Sequence, residues 1–430
     1  MAEKRKKVLG SLQPDIEDIL DWNKLPEDAF QPASAEEKES FIQDRKSVSY
    51  WKDAWRRLRR NKVAMVAMVI VILLGLFAFV GPLIVPYSYD EVIPGANNLH
   101  PWHYSLEDQE ELAAAQDPEK AIELARAEAE AEGRELSRIE EAQIRAQVKS
   151  GGDVDELRAE LGIKPKLFGY TNDELQRIAN GESVFPHVFG CDMQGRDIMV
   201  RTMIGTRVSM IVGICCALIV LVIGAIYGSI SGYCGGKVDA VMQRIVEIIY
   251  TIPEVLIILL LGATLKPILE DFQNSGDGFF QNMVTILGPN LIAIFIAFGL
   301  LYWVTMSRII RGQILQLKQQ EYVTAARALG AKGGRIIKRH LLPNCVGQIV
   351  TTTFLQIPSA IFTESFLSFL GMGVSAPMTS LGSMCSDGLS GLQSYPYRLF
   401  IPAIILSILI LCLNLFGDGL RDALDPRLKK

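Results

Sequence analysis

Two carboxylates lie within long apolar runs. Carboxylates are among the few side chains in such runs that could do chemistry. Glu254 and Glu364 each lie in a stretch that is otherwise almost free of charge. A charged side chain in hydrocarbon is costly, so an intramembrane carboxylate is a functional candidate by default. The functional hypothesis is that both bind solute or water inside the membrane. The alternative is that they hydrogen-bond to a neighbouring helix or to a partner subunit.

The second candidate is a basic stretch that contains several glycines, TAARALGAKGGRIIKRHLLPN at residues 324–344. Its first part has helix-forming composition and ends near Gly330, a residue type that suits a helix C-terminus. Apolar residues recur there at helical spacing: Val323, Ala326 and Leu329. The spacing predicts a short amphipathic helix over residues 324–333. We expect its apolar face to pack on a partner, with flanking Arg and Lys pairing with acidic groups.

Other reactive residue types show no catalytic or metal-binding spacing. The seven cysteines have no paired metal-ligand pattern, and the four histidines form no H-E-x-x-H pattern. We therefore predict no catalytic residues and no metal site, although a disulfide between Cys191 and Cys385 stays open. The chain also has no G-x-x-x-x-G-K-[ST] motif and thus no P-loop of its own. If ATP drives the function of this chain, another subunit must bind the nucleotide.

The elements that must position these residues are apolar helices. The chain has 430 residues with 49% hydrophobic and 21% charged, which indicates membrane helices plus a sizeable aqueous part. The net charge of −5 argues against a nucleic-acid binder. Six runs approach the roughly 20 residues that span a bilayer. They lie at Val63 to Val85, Val208 to Tyr227, Val241 to Leu265, Leu291 to Ile310, Gln348 to Leu370 and Phe400 to Phe416.

The distribution of Lys and Arg predicts the orientation. Positive residues concentrate at 45–62 and at 308–339, whereas the predicted outer loops 266–289 and 371–399 carry only Lys266 and Arg398. Since positive loops are retained inside, both termini are expected in the cytoplasm. The first 40 residues lack the apolar core of a cleavable signal peptide. The segment SYWKDAWRRLRRN is amphipathic and predicts an interfacial helix on the inner leaflet of the lipid bilayer, with an exposed linker as the alternative.

The chain thus divides into a cytoplasmic tail and interfacial elbow helix (1–62), a first span (63–85), an extracytoplasmic helical segment (86–205) and a five-helix core (206–430) with a cytoplasmic loop at 311–347. The outer segment is either a solvated helical hairpin or a platform for a ligand-delivery protein. Within the core, glycines repeat every four residues and predict close helix packing: Gly224, Gly228 and Gly232. Pro253 and Pro358 predict kinks.

The chain resembles the permease subunits of ABC importers. The spacing of Ala325, Ala326, Gly330, Leu342 and Pro343 is similar to that family's "EAA" loop, with Thr324 and His340 departing from its usual Glu and Ile. The segments FGCDMQGRDIMV, with Cys191 in place of the usual Thr, TESFLSFLGMGV and NLFGDGLRDALDPRL narrow the resemblance to the C-type subunit of the oligopeptide, dipeptide and nickel group. Residues 1–44 lie outside the resemblance, and 100–170 looks like an enlargement.

The resemblance implies an all-α integral membrane protein with six transmembrane helices in the type I importer permease fold. It implies a homologous B-type permease as heterodimer partner, two ABC ATPase subunits that bind ATP and Mg, and an extracytoplasmic peptide-binding protein. Glu254 and Glu364 would line the translocation path. The resemblance also implies that the predicted helix at 324–333 is a coupling helix, the element of the permease that docks on the ATPase. It would contact the ATPase through Thr324, Ala325, Ala326, Leu329, Gly330 and Ala331. A bulky residue at Gly330 or Ala326 would then uncouple hydrolysis from uptake.

Three alternatives stay open. The cargo of such a permease is a peptide, nickel or another small solute. An ion-coupled secondary transporter would need no ATPase but often shows internal repeats, and no clear repeat is present. A membrane-anchored enzyme would need a catalytic constellation, and none is found in the sequence. Co-purifying ATPase subunits would separate the ABC importer from both other classes.

Overall fold

Long apolar helices dominate the computed structural model. It describes residues 50–131, 133–149, 154–273, 276, 278–374 and 378–424. Among these, five helices or near-continuous helix pairs are long and apolar enough to cross a membrane, or six if one bent pair counts as a single span. They correspond to the six predicted apolar runs. Among the described residues, only the third predicted span contains a break at which the helix bends by more than 40°.

The first part of the chain forms α1 (Tyr50–Leu58), α2 (Lys62–Phe79), α3 (Gly81–Ile84), β1 (Trp102–His103), α4 (Leu106–Gln116), α5 (Pro118–Ala131), α6 (Arg138–Lys149), α7 (Val154–Glu160), β2 (Lys166–Leu167) and α8 (Asn172–Ala179). The core forms α9 (Ile198–Cys234), α10 (Gly236–Tyr250), α11 (Glu254–Gln273), α12 (Phe279–Leu287), α13 (Pro289–Leu301), α14 (Trp303–Leu317), α15 (Glu321–Ala328), α16 (Gly333–Ile336), a π-helical turn (Ile337–Leu341), a 3₁₀ turn (Leu342–Cys345), α17 (Val346–Phe369), α18 (Leu381–Leu389) and α19 (Tyr397–Leu424).

The second span is longer than its apolar run predicts. Helix α9 begins at Ile198 because the Asp197 carboxylate accepts a hydrogen bond from the Val200 amide (2.9 Å), which caps the helix. Residues 198–205, which the sequence analysis assigns to the outer segment, are therefore helical and continuous with the span. The boundary at 205 stays a prediction, because a helix of 37 residues is longer than a bilayer requires.

The third predicted span is divided into two helices. Helix α10 ends at Tyr250 and α11 begins at Glu254, and the two meet at a bend of 81°. Pro253 lies in this break, where it cannot supply an amide hydrogen to continue the helix. The break confirms an interruption at Pro253. Pro358, in contrast, lies inside the unbroken helix α17.

The glycine repeat packs α9 against α14, as predicted. A Cβ added at Gly224 would lie 2.7 Å from the Met306 side chain, and one added at Gly232 would lie 2.9 Å from the Arg311 carbonyl oxygen. At Gly228 it would collide with the Ser307 carbonyl oxygen. Small residues allow this approach of two backbones, which is how membrane helices gain packing contacts.

We predict that Gly228→Ala destabilises the protein although alanine favours helices. The added methyl group overpacks the contact with Ser307, at a cost of about 2 kcal/mol. Gly312→Ala on α14 is the matched control, because a Cβ there meets no atom within 4 Å. Thermal unfolding in detergent should show a lower midpoint for Gly228→Ala only. Equal midpoints for the two variants would contradict the packing argument.

The two ends of the helix bundle are distinguished by their contacts. At one end, the Tyr397 hydroxyl donates to the carbonyl oxygens of Leu99 (3.0 Å) and Cys191 (3.2 Å). The outer segment and the first residue of α19 therefore lie together. At the opposite end, Gly419 of α19 packs on Ala64 of α2, so the first and last spans begin and end on the same side.

The outer segment contains helices where composition predicts them, but its cysteine is not paired. Helices α5 and α6 are joined by exposed ion pairs, Arg126 with Glu141 and Arg145 with Glu119, which contribute little stability.

Cys191 and Cys385 are both free thiols, so the disulfide is not formed. Cys385 lies in α18, whereas Cys191 lies in the loop before α9. The role of this segment as a platform stays a prediction.

Candidate functional site

The predicted coupling helix exists but is displaced in sequence. Helix α15 runs from Glu321 to Ala328, so it begins three residues before the predicted 324 and ends before Gly330. Gly330 adopts a φ of +80°, the left-handed conformation that ends helices and favours glycine. Ala331 follows this turn and is outside the helix. A residue with a Cβ at position 330 would meet no atom, but its backbone would be strained.

The apolar face of α15 packs on its own chain, which corrects the expectation that it faces a partner. Val323 is fully buried and Ala326 nearly so, in the same apolar cluster as Ile314, Ile336 and Leu341. Sequence periodicity reports that a face is buried but not by what. A bulky residue at Ala326 would therefore disturb this internal packing as well as any coupling.

The opposite face of α15 is open to contact. Thr324 and Ala325 are exposed, and the Leu329 side chain, directly after the helix, is 89% exposed. A leucine so far out of the protein presents apolar surface that only another molecule can cover. Of the predicted coupling residues, the structure thus brings Thr324, Ala325 and Leu329 to one accessible surface, here called the α15 surface. It places Ala326 beneath that surface.

Polar contacts tie the base of this loop to three neighbouring helices. The Arg311 guanidinium of α14 binds the Asp239 carboxylate of α10 at 2.6 and 2.5 Å. Lys318 donates to the Gly232 carbonyl oxygen at the end of α9 (2.9 Å). The Tyr233 ring lies under Arg327, 5.3 Å from its guanidinium carbon to the ring centre, and against Gly333. These contacts connect the loop that carries α15 to α9, α10 and α14.

Glu364 is a buried hydrogen-bond acceptor inside the bundle. Its carboxylate accepts from three serine hydroxyls: Ser209 of α9 (2.9 Å), and Ser365 (3.3 Å) and Ser368 (2.7 Å) of α17. Ser368 in turn accepts from the Val374 amide. The side chain has no exposed surface. These contacts favour the interpretation that Glu364 bonds a neighbouring helix, and its place on the translocation path stays a prediction.

We predict that Glu364→Leu lowers stability more than Glu364→Gln. Leucine leaves the Ser209 and Ser368 hydroxyls without an acceptor, which costs about 2 to 3 kcal/mol, whereas the amide oxygen of glutamine still accepts. Thermal unfolding in detergent measures both effects. A leucine variant as stable as the glutamine variant would show that the serine contacts contribute nothing.

A groove of about 720 Å³ runs beside α17, and its polar lining carries no charge among the described residues. The polar groups are Tyr302, Thr305, Gln356, Ser359, Thr363 and Asn414. Aromatic and aliphatic side chains such as Tyr250 and Phe362 complete the walls. Such a lining offers hydrogen bonds in an apolar setting, as sites for organic solutes do. Glu364 is not part of this lining, and the side chain of Glu254 lies outside the described part of the chain.

Sequence inspection for charged residues missed this groove. Its α17 contribution follows a helical stripe in which Gln356, Ser359 and Thr363 are three and four residues apart. Residues at this spacing share one helix face, so a polar stripe on an otherwise apolar span was the available signal. The search for intramembrane carboxylates passed over it because none of the three is ionisable.

Two family models match the chain. Residues 221–430 match the inner membrane component of binding-protein-dependent transport systems. Residues 49–101 match the N-terminal transmembrane domain of oligopeptide transport permease C. The first match contains the loop with α15, Glu364 with its partners Ser365 and Ser368, and all residues of the groove. The second contains α1 to α3.

Curated relatives cover nearly the whole chain. The oligopeptide transport system permease protein OppC of Bacillus subtilis is 36% identical over 406 residues, which are 94% of this chain and 99% of the relative. The dipeptide transport system permease protein DppC of the same organism is 33% identical over 97% of this chain and 99% of its own. OppC of Escherichia coli is 32% identical over 88% and 92%.

Among solved structures, a chain of the MetNI methionine ABC transporter in an inward-facing form aligns with 53% of this chain and 98% of its own. Its TM-score is 0.39 and its identity 16%, so no argument rests on it. The near-complete match to the two Bacillus relatives, together with both family models, is sufficient to assign the family. The chain belongs to the OppC/DppC family of ABC importer permeases.

Proposed function

We propose that this chain is the permease subunit of an importer that moves peptides across the cytoplasmic membrane, driven by ATPase partners docked on the α15 surface. The observation that carries this proposal is the exposure of Leu329, 89%, beside a helix whose other face is anchored by Val323. An anchored helix with one free apolar residue is suited to transmit force across an interface. The names of the relatives supply the substrate class.

Coupling would proceed through the contacts at the base of α15. Two ATPase subunits bind ATP and Mg and close, which moves the α15 surface. Because Lys318 and Arg311 tie this loop to α9 and α10, the spans tilt with it. The assembly then changes from inward-facing to outward-facing, receives peptide from an extracytoplasmic binding protein, and resets on hydrolysis. This chain contributes a change of shape and no covalent chemistry.

The groove beside α17 supports a peptide as cargo. A homologous B-type permease would supply the opposite wall, and the path would lie between the two. Hydroxyl and amide groups such as Ser359, Thr363 and Gln356 can bond the backbone of any peptide regardless of its side chains. Nickel as cargo would favour imidazole, thiolate or carboxylate ligands, and the groove has none of these among the described residues.

The charge pattern and the fold support one orientation of the chain in the membrane. The basic segment at 308–339 and the first residues of α2 would face the cytoplasm, with residues 86–205 and α18 outside. The contacts of Tyr397 with Leu99 and of Gly419 with Ala64 place these groups at two separate ends, which supports this arrangement. Both termini would then be cytoplasmic.

Reconstitution tests the proposal. The chain is expressed with its partner permease and both ATPase subunits, purified by a tag on the chain, and placed in liposomes with the binding protein. We expect the ATPase subunits to co-purify stoichiometrically and labelled peptide to accumulate only with ATP. Uptake that persists after the ATPase subunits are omitted would indicate an ion-coupled carrier. Accumulation of nickel but not peptide would overturn the substrate class.

A further inference from the structure

A buried group of metal-binding side chains lies in the outer segment, where the family role requires none. His187, Cys191 and Asp197 each offer a ligand atom, and these three atoms lie within 4.8 Å of one another. His187 and Asp197 have no exposed side-chain surface, and Cys191 has none either. Imidazole nitrogen, thiolate sulfur and carboxylate oxygen are the three ligand types that zinc takes in proteins.

The local fold fixes each of the three residues. His187 is held by a backbone bridge to Gly169, and its ring stacks on Tyr87 with ring centres 4.6 Å apart. Cys191 is bridged to Asp197 through the backbone. Asp197 is also the cap of α9, and it uses one oxygen, Oδ1, for the Val200 amide. Its other oxygen, Oδ2, faces His187 at 2.7 Å from Nδ1.

We propose that His187 Nδ1, Cys191 Sγ and Asp197 Oδ2 form a structural binding site for a divalent zinc-class cation. Ligand atoms around a tetrahedral zinc with one sulfur ligand lie roughly 3.3 to 3.6 Å apart, given bond lengths of about 2.0 to 2.3 Å. The three atoms therefore need movements of only about 1 Å to surround the ion. A water or a second carboxylate oxygen completes four-coordination.

Glu174 completes the arrangement from outside the ligand set. Its Oε1 lies 3.2 Å from His187 Nε2, the ring nitrogen that faces away from Asp197. Metal-binding histidines nearly always donate their second N–H to a carboxylate or carbonyl, which fixes the ring and its tautomer. Glu174 is itself held, because its Oε2 accepts from the Thr171 amide (2.8 Å) in a helix-capping box. The order carboxylate, histidine, cation is thus preformed.

Without a metal the same residues form a hydrogen-bonded cluster. The His187 ring lies between two carboxylates, with Nδ1 2.7 Å from Asp197 Oδ2 and Nε2 3.2 Å from Glu174 Oε1. The cation would displace the Nδ1 proton and the thiol proton. Metal-bound and proton-bound clusters are the two outcomes that an experiment must separate.

Metal retention by the purified, untagged complex distinguishes them. The complex is incubated with Zn²⁺, dialysed against metal-free buffer, and its zinc content is measured by mass spectrometry. We expect about one zinc per chain. Replacement by Co²⁺ should give an absorption band for thiolate-to-metal charge transfer in the near ultraviolet. No retained zinc and no such band would show that the cluster is held by a proton, and would overturn the proposal.

Three variants assign the site. Cys191→Ser should lose the Co²⁺ band and most of the zinc, whereas Cys385→Ser should keep both, because Cys385 is also buried but is not in the cluster. Glu174→Gln should bind zinc about 10- to 100-fold more weakly while keeping the band. Zinc retention that is equal in Cys191→Ser and the parent would place the ion elsewhere. None of these readouts depends on peptide uptake, so the proposed function is tested separately.

Discussion

Leu329→Asp is expected to abolish ATP-driven uptake while leaving the permease folded. The side chain is 89% exposed and makes no contribution to the buried cluster beneath α15. A carboxylate forced into an apolar cleft of the ATPase without a partner costs about 3 kcal/mol, or roughly 100-fold in docking affinity. Reconstituted complexes should show uptake reduced by about this factor, and the ATPase subunits should dissociate during purification.

Leu167→Asp is the matched control. Leu167 is an equally prominent leucine, 81% exposed, but it lies in β2 of the outer segment. The same charge there should leave ATPase co-purification unchanged. Both variants should unfold at the parent's temperature, since neither leucine is packed. If Leu329→Asp retains its ATPase subunits and its uptake, the α15 surface is not the docking site.

The second large effect is expected from obstruction of the groove. Ser359→Trp places an indole among Tyr302, Gln356 and Thr363, where an extended peptide would have to pass. Ser359 is exposed and its hydroxyl bonds only weakly to its own helix, at 3.5 Å from the Leu355 carbonyl oxygen, so the fold should tolerate the change. We expect peptide uptake to fall at least tenfold. ATPase co-purification should stay normal, which separates this variant from Leu329→Asp.

Ser407→Trp controls for the mere addition of an indole to a span. Ser407 lies on α19, is exposed, and is not part of the groove lining. Uptake assays at several peptide lengths sharpen the comparison, because a partial obstruction should exclude longer peptides first. Equal uptake by Ser359→Trp and Ser407→Trp would show that peptides do not pass along this groove.

The spans were predictable because their signal is local. Twenty consecutive apolar residues identify a membrane helix without any knowledge of its neighbours, and five of the six predicted runs lie on helices that are straight or nearly continuous. The packing role of Gly224, Gly228 and Gly232 was equally predictable from the sequence, since helical spacing alone places the three on one face. The break at Pro253 was indicated by proline, but its angle depends on packing around it.

The sites were less predictable because their partners are distant in sequence. The spacing of Val323 and Ala326 correctly indicated an apolar face, yet Ile314 and Leu341, which bury it, belong to flanking elements. His187 and Glu174 are 13 residues apart, which matches no helical or strand spacing, so only the folding of the segment between them brings the two side chains together. Glu364 was singled out by charge, but its serine partner on α9 is 155 residues away. In each of these cases the partner of the residue is set by tertiary contacts, which the spacing of residues in the sequence does not show.

The turn between α10 and α11 affects how a movement at one membrane surface is transmitted to the other. Asp239 binds Arg311 and so joins α10 to α14, and the close approach at Gly228 packs α9 directly on α14. We expect these three helices to tilt as a single block. Helix α11 is joined to α10 by residues 251–253, and it also packs on α13 in a buried cluster that contains Ile258, Leu291 and Ile294. A change in the backbone torsions of residues 251–253 would therefore have to carry α13 along with α11, so that these two helices would swing as a pair at the far leaflet.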